Sequence, residues 1–396
     1  MSKQPKVLLV HPGIQHAPRL AEQLERQGML ARFWTGWAKA RGKDGKRSVA
    51  IPKEKLKTRP WVEWIALCLQ KSGLSGEQVW SFRNRLFQKL IPESEILQAD
   101  VVVGFDTAAD ILADRCGRAG IALVLDQTTP RRAFKKKIFQ ELGILGHNDL
   151  CSPKIVVEGE KKEQEAATKI VVASSFCRRS FECEANLHQK TRVIPYGLST
   201  SFLSAGHARD YSKPRERLRF LFVGNLGWHK GMKILLQAWS SARLTGASLR
   251  VVGRGSEVVE DELRRAGIEL VGQLDTAGVA KEMSGADVLL FPSFFEGFGR
   301  VILEGMAAGL PVIATANTGG PDVMEEGKEG FIVPAGDAEA LREKMDWCER
   351  NSEKVAEMGR AAHQKAMGFT WEKYGEKYSQ LLLEILDPSP NNLRKD

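Results

Sequence analysis

Short apolar runs rich in β-branched residues recur along this chain. Amphipathic stretches separate them, and the whole series occurs twice. In the first half the runs are "KVLLV" (6–10), "VVVGF" (101–105), "IALVL" (121–125), "KIVVAS" (169–174) and "TRVIP" (191–195). In the second half they are "LRFLFVG" (218–224), "SLRVVG" (248–253), "IELVG" (268–272), "DVLLFPS" (287–293), "PVIAT" (311–315) and "FIVP" (331–334). Unbroken apolar strands belong to sheets covered on both faces, and strands alternating with helices make parallel α/β units. Two successive series predict two doubly wound domains. The polar, aperiodic stretch 197–218 between them reads as the linker.

A length of 396 residues exceeds what one hydrophobic core serves, which also favours two domains. The expected boundaries are 1–200, 215–370 and a terminal segment 371–396, whose amphipathic helix "WEKYGEKYSQLLLEIL" (371–386) should pack back on the N-terminal domain. Its tail, "DPSPNNLRKD", reads as disordered. No run of ~18 apolar residues predicts a membrane-spanning helix. The first apolar stretch is too short for a signal peptide and reads as a strand. The six cysteines form no C-x-x-C pair. Cys177 and Cys183, placed on one helix, are expected to be reduced like the rest, as in a cytoplasmic protein.

The net charge of +9 favours anionic partners. "RRAFKKK" (131–137) places five cations in seven residues. It is either a solvated helix face or a contact for a phosphate-bearing acceptor or an anionic membrane surface. A nucleic-acid partner is not expected, because no helix-turn-helix, zinc or RNA-binding signature is present. Residues 59–91 read as a helical insertion carrying Trp61, Trp64, Trp80, Phe82 and Phe87. Core packing is the first expectation for these rings, and an aromatic wall for a sugar or lipid is the second.

In doubly wound sheets ligands bind beyond the carboxyl ends of the strands. "HPGIQH" (11–16) follows the first strand, so Gly13 can approach a ligand closely, flanked by His11 and His16. "NLGWHKG" (225–231) follows strand 218–224. Its Lys230 stands just before a helix, where a cation opposes the helix dipole, so a negative partner such as a diphosphate is expected. After strand 287–293 comes "FFEGFG", then the helix "RVILEGMAAG". Gly297 and Gly299 free backbone N–H groups to point at one phosphate, while Glu296 and Glu304 grip hydroxyls on either side. That pattern suits a nucleotide sugar, with ribose at one glutamate and hexose at the other.

These blocks, with "VVGRGSE", "VGQL" and "ATANTGGPDVM", occur in an order and spacing that resembles the group 1, family 4-like retaining glycosyltransferases of the GT-B fold. "VVASSFCRRSF" and "VIPYGLST" look like the same family's elements ahead of the linker. The likeness is good over roughly 165–345 and holds only in outline before that. It implies two Rossmann-like domains facing a central cleft, an N-terminal one for the acceptor and a C-terminal one for the donor. It also implies no required cofactor and no metal, with a UDP- or GDP-sugar as substrate and a carbohydrate or lipid-linked acceptor, in the cytoplasm or at the inner face of the membrane.

Carried over by position, Lys230 would bind the donor diphosphate. Gly297, Phe298 and Gly299 would offer amides, with Arg300 and Val301 beside them at the helix start. Glu296 would contact the transferred sugar near its anomeric carbon and Glu304 the ribose. The backbone from Gly272 to Leu274 would meet the base, and Gly13 would approach from the N-terminal domain. Two positions depart from the family. Asn225 stands where an arginine is usual, leaving Arg254 or Arg300 to supply that charge. After strand 121–125, where many relatives carry a histidine, the chain reads "LDQTTP". The acceptor-side group is then Asp126, His11 or His16, an aspartate being able to act as base toward a hydroxyl. A sugar-nucleotide epimerase or phosphorylase of the same architecture, and a non-catalytic nucleotide-sugar-binding partner, remain alternatives.

Overall fold

A computed structural model describes residues 4–13, 15–40, 48–71, 73–143, 152–207, 209–212 and 217–387. Cys151 and the tail 388–396 lie outside the described residues. The chain divides into two compact units. The first comprises Met1–Val172, Arg178–Ile194 and Trp371–Asp396, and the second Ala173–Cys177 and Pro195–Thr370. The expected linker 197–218 instead falls in the second unit and contains the helix Thr200–His207.

Among the described residues, fifteen strands carry the architecture. They are β1 (Val7–His11), β2 (Leu30–Thr35), β3 (Lys39–Ala40), β4 (Ser48–Val49), β5 (Leu56–Thr58), β6 (Val101–Phe105), β7 (Ala122–Gln127), β8 (Lys169–Val172), β9 (Thr191–Val193), β10 (Arg219–Val223), β11 (Ser248–Val252), β12 (Glu269–Gly272), β13 (Val288–Phe291), β14 (Val312–Thr315) and β15 (Gly330–Val333). The first unit's sheet runs β5-β2-β1-β6-β7-β8-β9 and the second's β12-β11-β10-β13-β14-β15. Every pairing within both is parallel. A separate two-stranded piece joins β3 to β4.

Each main sheet grows in one direction, returns to its start and grows in the other. The reversal falls between β1 and β6 in the first unit and between β10 and β13 in the second. Adjacent loops diverge at such a point and leave a crevice beyond the strand ends. The cores fit this plan. Leu8, Val10, Val102 and Leu123 are buried with Leu112 and Cys116 of the helix Asp110–Ala119. Phe220, Phe222, Val251, Leu290 and Ile313 are buried with Leu235 and Met345 from flanking helices.

Three expectations need correction. β2 and β5 were not expected as strands. The sequence of β2, "LARFWT", is broken by a charge, but Arg32 is only half-buried, donates to Ala31 O at 2.8 Å and lies 3.8 Å from Glu95. Residues 60–89 do form two helices, Pro60–Gln70 and Gly76–Lys89, which pack on each other. Their rings do not all enter the core: Phe87 is buried, whereas Trp61, Trp64, Trp80 and Phe82 are exposed. Finally, Cys183 lies past the end of the helix Ser175–Arg179 that holds Cys177. No disulfide joins the described cysteines.

Candidate functional site

In the second unit the loops after β10 and β13 flank the sheet's reversal. A short 3-10 turn, Trp228–Lys230, follows β10, and Gly231 with φ 75° links it to the helix Met232–Ser241. A side chain at Gly231 would put its Cβ 2.0 Å from Pro292 O, so the two loops touch at backbone level. Phe294 N donates to His229 O at 2.9 Å. The close approach brings the Lys230 ammonium onto the Glu296 carboxylate as an ion pair. Glu296 is thus the anion that offsets a cation at a helix start in the unliganded protein. The ammonium also lies 5.6 Å from the centroid of the Phe291 ring.

The β13 loop is held from several sides. Glu296 N donates to Asn317 O at 2.9 Å, and Asn317 Nδ2 donates to Phe294 O at 3.0 Å. Gly319 N donates to Phe298 O at 2.7 Å, and Ser174 Oγ donates to Gly297 O at 2.6 Å. Ser174 Oγ also accepts from Cys177 N at 3.1 Å, as expected of a cap. Gly299, with φ 84°, turns the chain into the helix Arg300–Ala307. Among the described residues, none accepts a hydrogen bond from the N–H of Gly299, Arg300 or Val301. An orphaned helix start of this kind leaves N–H donors that suit an anion.

Glu304 lies one turn into that helix. Burial pushes its carboxyl above the usual range, and Arg300 opposes the shift only in part. No described side chain donates to it.

The remaining second-unit candidates line the same rim of strand ends. Gly224 N donates to Val252 O at 3.0 Å, Leu226 N to Arg254 O at 2.9 Å and Gly253 N to Gly272 O at 2.9 Å. Asn225, Arg254 and Gly272 therefore follow neighbouring strands, with Leu274 two residues further on. Asn225, Arg254 and Arg300 are exposed, and none of them is ion-paired to a described residue.

The first unit brings Gly13, His16 and Asp126 to its own reversal. His16 Nε2 is 3.1 Å from Asp126 Oδ2, and both side chains are buried. Tyr374 OH, from the helix Trp371–Leu386, donates to the same oxygen at 3.5 Å, and its ring meets His16 edge-on. His11 stacks on Phe105 at 4.2 Å and, among the described residues, has no hydrogen-bond partner at either ring nitrogen. Burial, and after it His16 and Arg83, hold its pKa well below the ordinary value. A Cβ on Gly13 would sit 3.1 Å from His11 Nε2.

Sequence reasoning missed Tyr374, which only the return of the terminal helix brings near Asp126. It missed Asp106 as well. Burial raises that carboxyl to about 6, against the hydrogen bond from Thr128 Oγ1 at 2.7 Å. It also gave no role to Asn317 and Gly319. The paired glycines of "NTGGP" were the available signal, because a Cβ on Gly319 would meet the Phe298 ring at 2.5 Å.

Residues 217–351 match the family described as "Glycosyl transferases group 1". Over this segment the chain is similar to the group 1 glycosyl transferases. Among curated relatives, a phosphatidyl-myo-inositol mannosyltransferase of Mycobacterium leprae is 37% identical over 185 residues, 44% of this chain and 48% of that protein. The D-rhamnosyltransferase WbpZ of Pseudomonas aeruginosa is 30% identical over 49% of this chain and 53% of its own length. The matches thus span about half the length of these relatives. A solved sucrose-phosphate synthase from Thermosynechococcus elongatus aligns with TM-score 0.67 and 18% identity, covering 98% of this chain and 100% of that one. Anabaena HepE, solved with UDP and glucose, aligns with TM-score 0.64 and 15% identity over 96% of this chain and 100% of its own. The fold is GT-B, two Rossmann-like α/β domains.

Proposed function

We propose that the chain is a retaining glycosyltransferase. It would move a sugar from a UDP- or GDP-sugar to a hydroxyl of a carbohydrate or lipid-linked acceptor in bacterial surface polysaccharide or glycolipid synthesis. One observation carries the reading: Lys230 and Glu296 meet at the reversal of the second sheet, beside an orphaned helix start and ahead of an unpartnered Glu304. A cation, amide donors and two carboxylates are the groups that a diphosphate with a sugar at each end calls for. The group 1 match over this segment, and HepE's UDP and glucose, support it.

In the proposed reaction the bond between the anomeric carbon and the diphosphate breaks, and one from the acceptor oxygen forms on the same face. The acceptor proton passes to the departing phosphate oxygen. Lys230 exchanges its carboxylate partner for the diphosphate, and the N–H groups of Gly299 and Val301 take a share of the developing charge. A single well-placed donor of this kind is worth on the order of 3 kcal/mol in the transition state. Glu296, released, faces the sugar, and Glu304 takes the ribose hydroxyls. In the first unit, Asp126 and His16 are the acceptor-side candidates.

The test is a thermal-shift screen of UDP, GDP, ADP and their sugar conjugates, followed by analysis of the product's anomeric configuration. A ligand bound by the native state raises apparent stability. Stabilisation by one nucleotide series, with transfer that Lys230→Ala abolishes, is expected. An inverted product removes the retaining mechanism, an isomerised donor with no transfer favours the epimerase, and binding without any turnover favours a non-catalytic partner.

A further inference from the structure

The two packed helices Pro60–Gln70 and Gly76–Lys89 expose more apolar surface than a solvated helix pair needs. Val62, Ala66, Val79 and Phe87 face inward, yet Trp61, Trp64, Leu67, Leu74, Trp80 and Phe82 are 43–60% exposed. Trp64, at 60%, is more open than its charged neighbour Glu63, at 24%. On the first helix Trp61 and Trp64 are three residues apart and Leu67 three further on, so they form one stripe. Over 57–89 the chain carries six Lys or Arg against two Glu. Both glutamates are paired, Glu63 with Arg83 and Glu77 with Arg132, and Arg85 pairs with Asp110, which leaves Lys71 and Lys89 as the exposed cations of this stretch. The adjoining helix Arg132–Glu141 adds exposed Lys136 and Lys137.

We infer that this helix pair is a docking surface for an anionic phospholipid bilayer. Tryptophans settle at the boundary between headgroups and acyl chains, leucines enter the acyl region, and lysines pair with lipid phosphate. At 11 residues, the Trp-bearing helix would lie in the interface, since spanning needs about 20. No described helix is long and apolar enough to cross a membrane. A second copy of the chain is a poorer occupant, because self-association would set one excess of positive charge against another. Single-stranded nucleic acid would use the rings and cations but would leave Leu67 and Leu74 in water. The inference does not depend on the transfer reaction.

The experiment is co-sedimentation of the full chain with vesicles of phosphatidylcholine alone, or with about a third phosphatidylglycerol. Tryptophan quenching by brominated acyl chains accompanies it. Sedimentation with the anionic vesicles only, with quenching, is expected. Trp61→Ala/Trp64→Ala should lower partitioning about tenfold and remove most of the quenching. Because both sites are exposed, the variant should keep the wild-type melting temperature and any nucleotide-induced shift. Absence of binding to anionic vesicles, or binding unaltered in the variant, overturns the inference. So does a solution dimer that the variant dissociates, or a polynucleotide that displaces the vesicles. A nucleotide shift in either outcome judges the donor site separately.

Discussion

Glu304→Gln tests the donor site through a carboxylate that the unliganded protein pays to keep. Glu304 is desolvated, has no described hydrogen-bond donor, and titrates above the ordinary carboxylate range because burial disfavours its charge. For a carboxyl raised in this way, the native state holds more protons than the unfolded one between the two pKa values. Its contribution is therefore complete below the unfolded pKa and is lost as pH rises through the folded one. The amide has no such loss, so the unliganded variant should equal or exceed wild type in stability at pH 7 and should show a flatter acid limb. Nucleotide binding should move the opposite way. Hydrogen bonds to a charged acceptor are worth about 1.5–3 kcal/mol, so the variant should bind its nucleoside diphosphate roughly ten- to hundredfold more weakly. Calorimetric titration measures this directly, with urea melts from pH 4 to 8 for stability. Titrating the 2′,3′-dideoxy nucleotide closes a double-mutant cycle, and the variant should lose little further affinity for it. Equal affinity of wild type and variant for the ordinary nucleotide would refute the ribose role.

Gly231→Ala should lose about 3 kcal/mol or more of stability. It combines a left-handed φ with a Cβ 2.0 Å from the Pro292 carbonyl, which cannot yield as a side chain can; a chemical melt within about 0.5 kcal/mol of wild type would contradict that contact. Asp106, raised to about 6 from 3.8, should cost up to about 3 kcal/mol of stability as pH climbs through that window, and Asp106→Asn should remove that part of the pH dependence, read from melts across it.

The parallel sheets were legible because buried strands are written as unbroken apolar runs, and the loops flanking the second reversal because glycines follow both Glu296 and Lys230. What stayed hidden depends on distance in the fold. β2 carries an arginine in its middle, which reads as a break until its half-exposed setting is known. The pairing of Lys230 with Glu296 joins residues 66 apart, and that of Tyr374 with Asp126 residues 248 apart. No local period encodes either. The exposed tryptophans were misjudged for a different reason. Aromatic helices are usually core elements, and the composition of a helix states how much apolar surface it has without stating which side is covered.

The first unit is discontinuous, and this bears on how the protein is made. Its sheet is encoded by Ile194, yet its closing helix, Trp371–Leu386, is encoded only after the whole second unit. That helix seats Gly375 so tightly against Gln23 that a Cβ there would lie 2.4 Å away, and it supplies the Tyr374 hydroxyl to Asp126. About 180 codons separate the two pieces, so at roughly 5–20 residues per second a ribosome needs on the order of ten to forty seconds between them. During that interval the Ala17–Arg26 helix waits with its partner surface bare and the His16–Asp126 pair unroofed. The second unit already has its short segment Ala173–Cys177 and is completed in one stretch from Pro195 to Thr370, so it can mature while still attached to the ribosome. The first unit finishes last although it begins first.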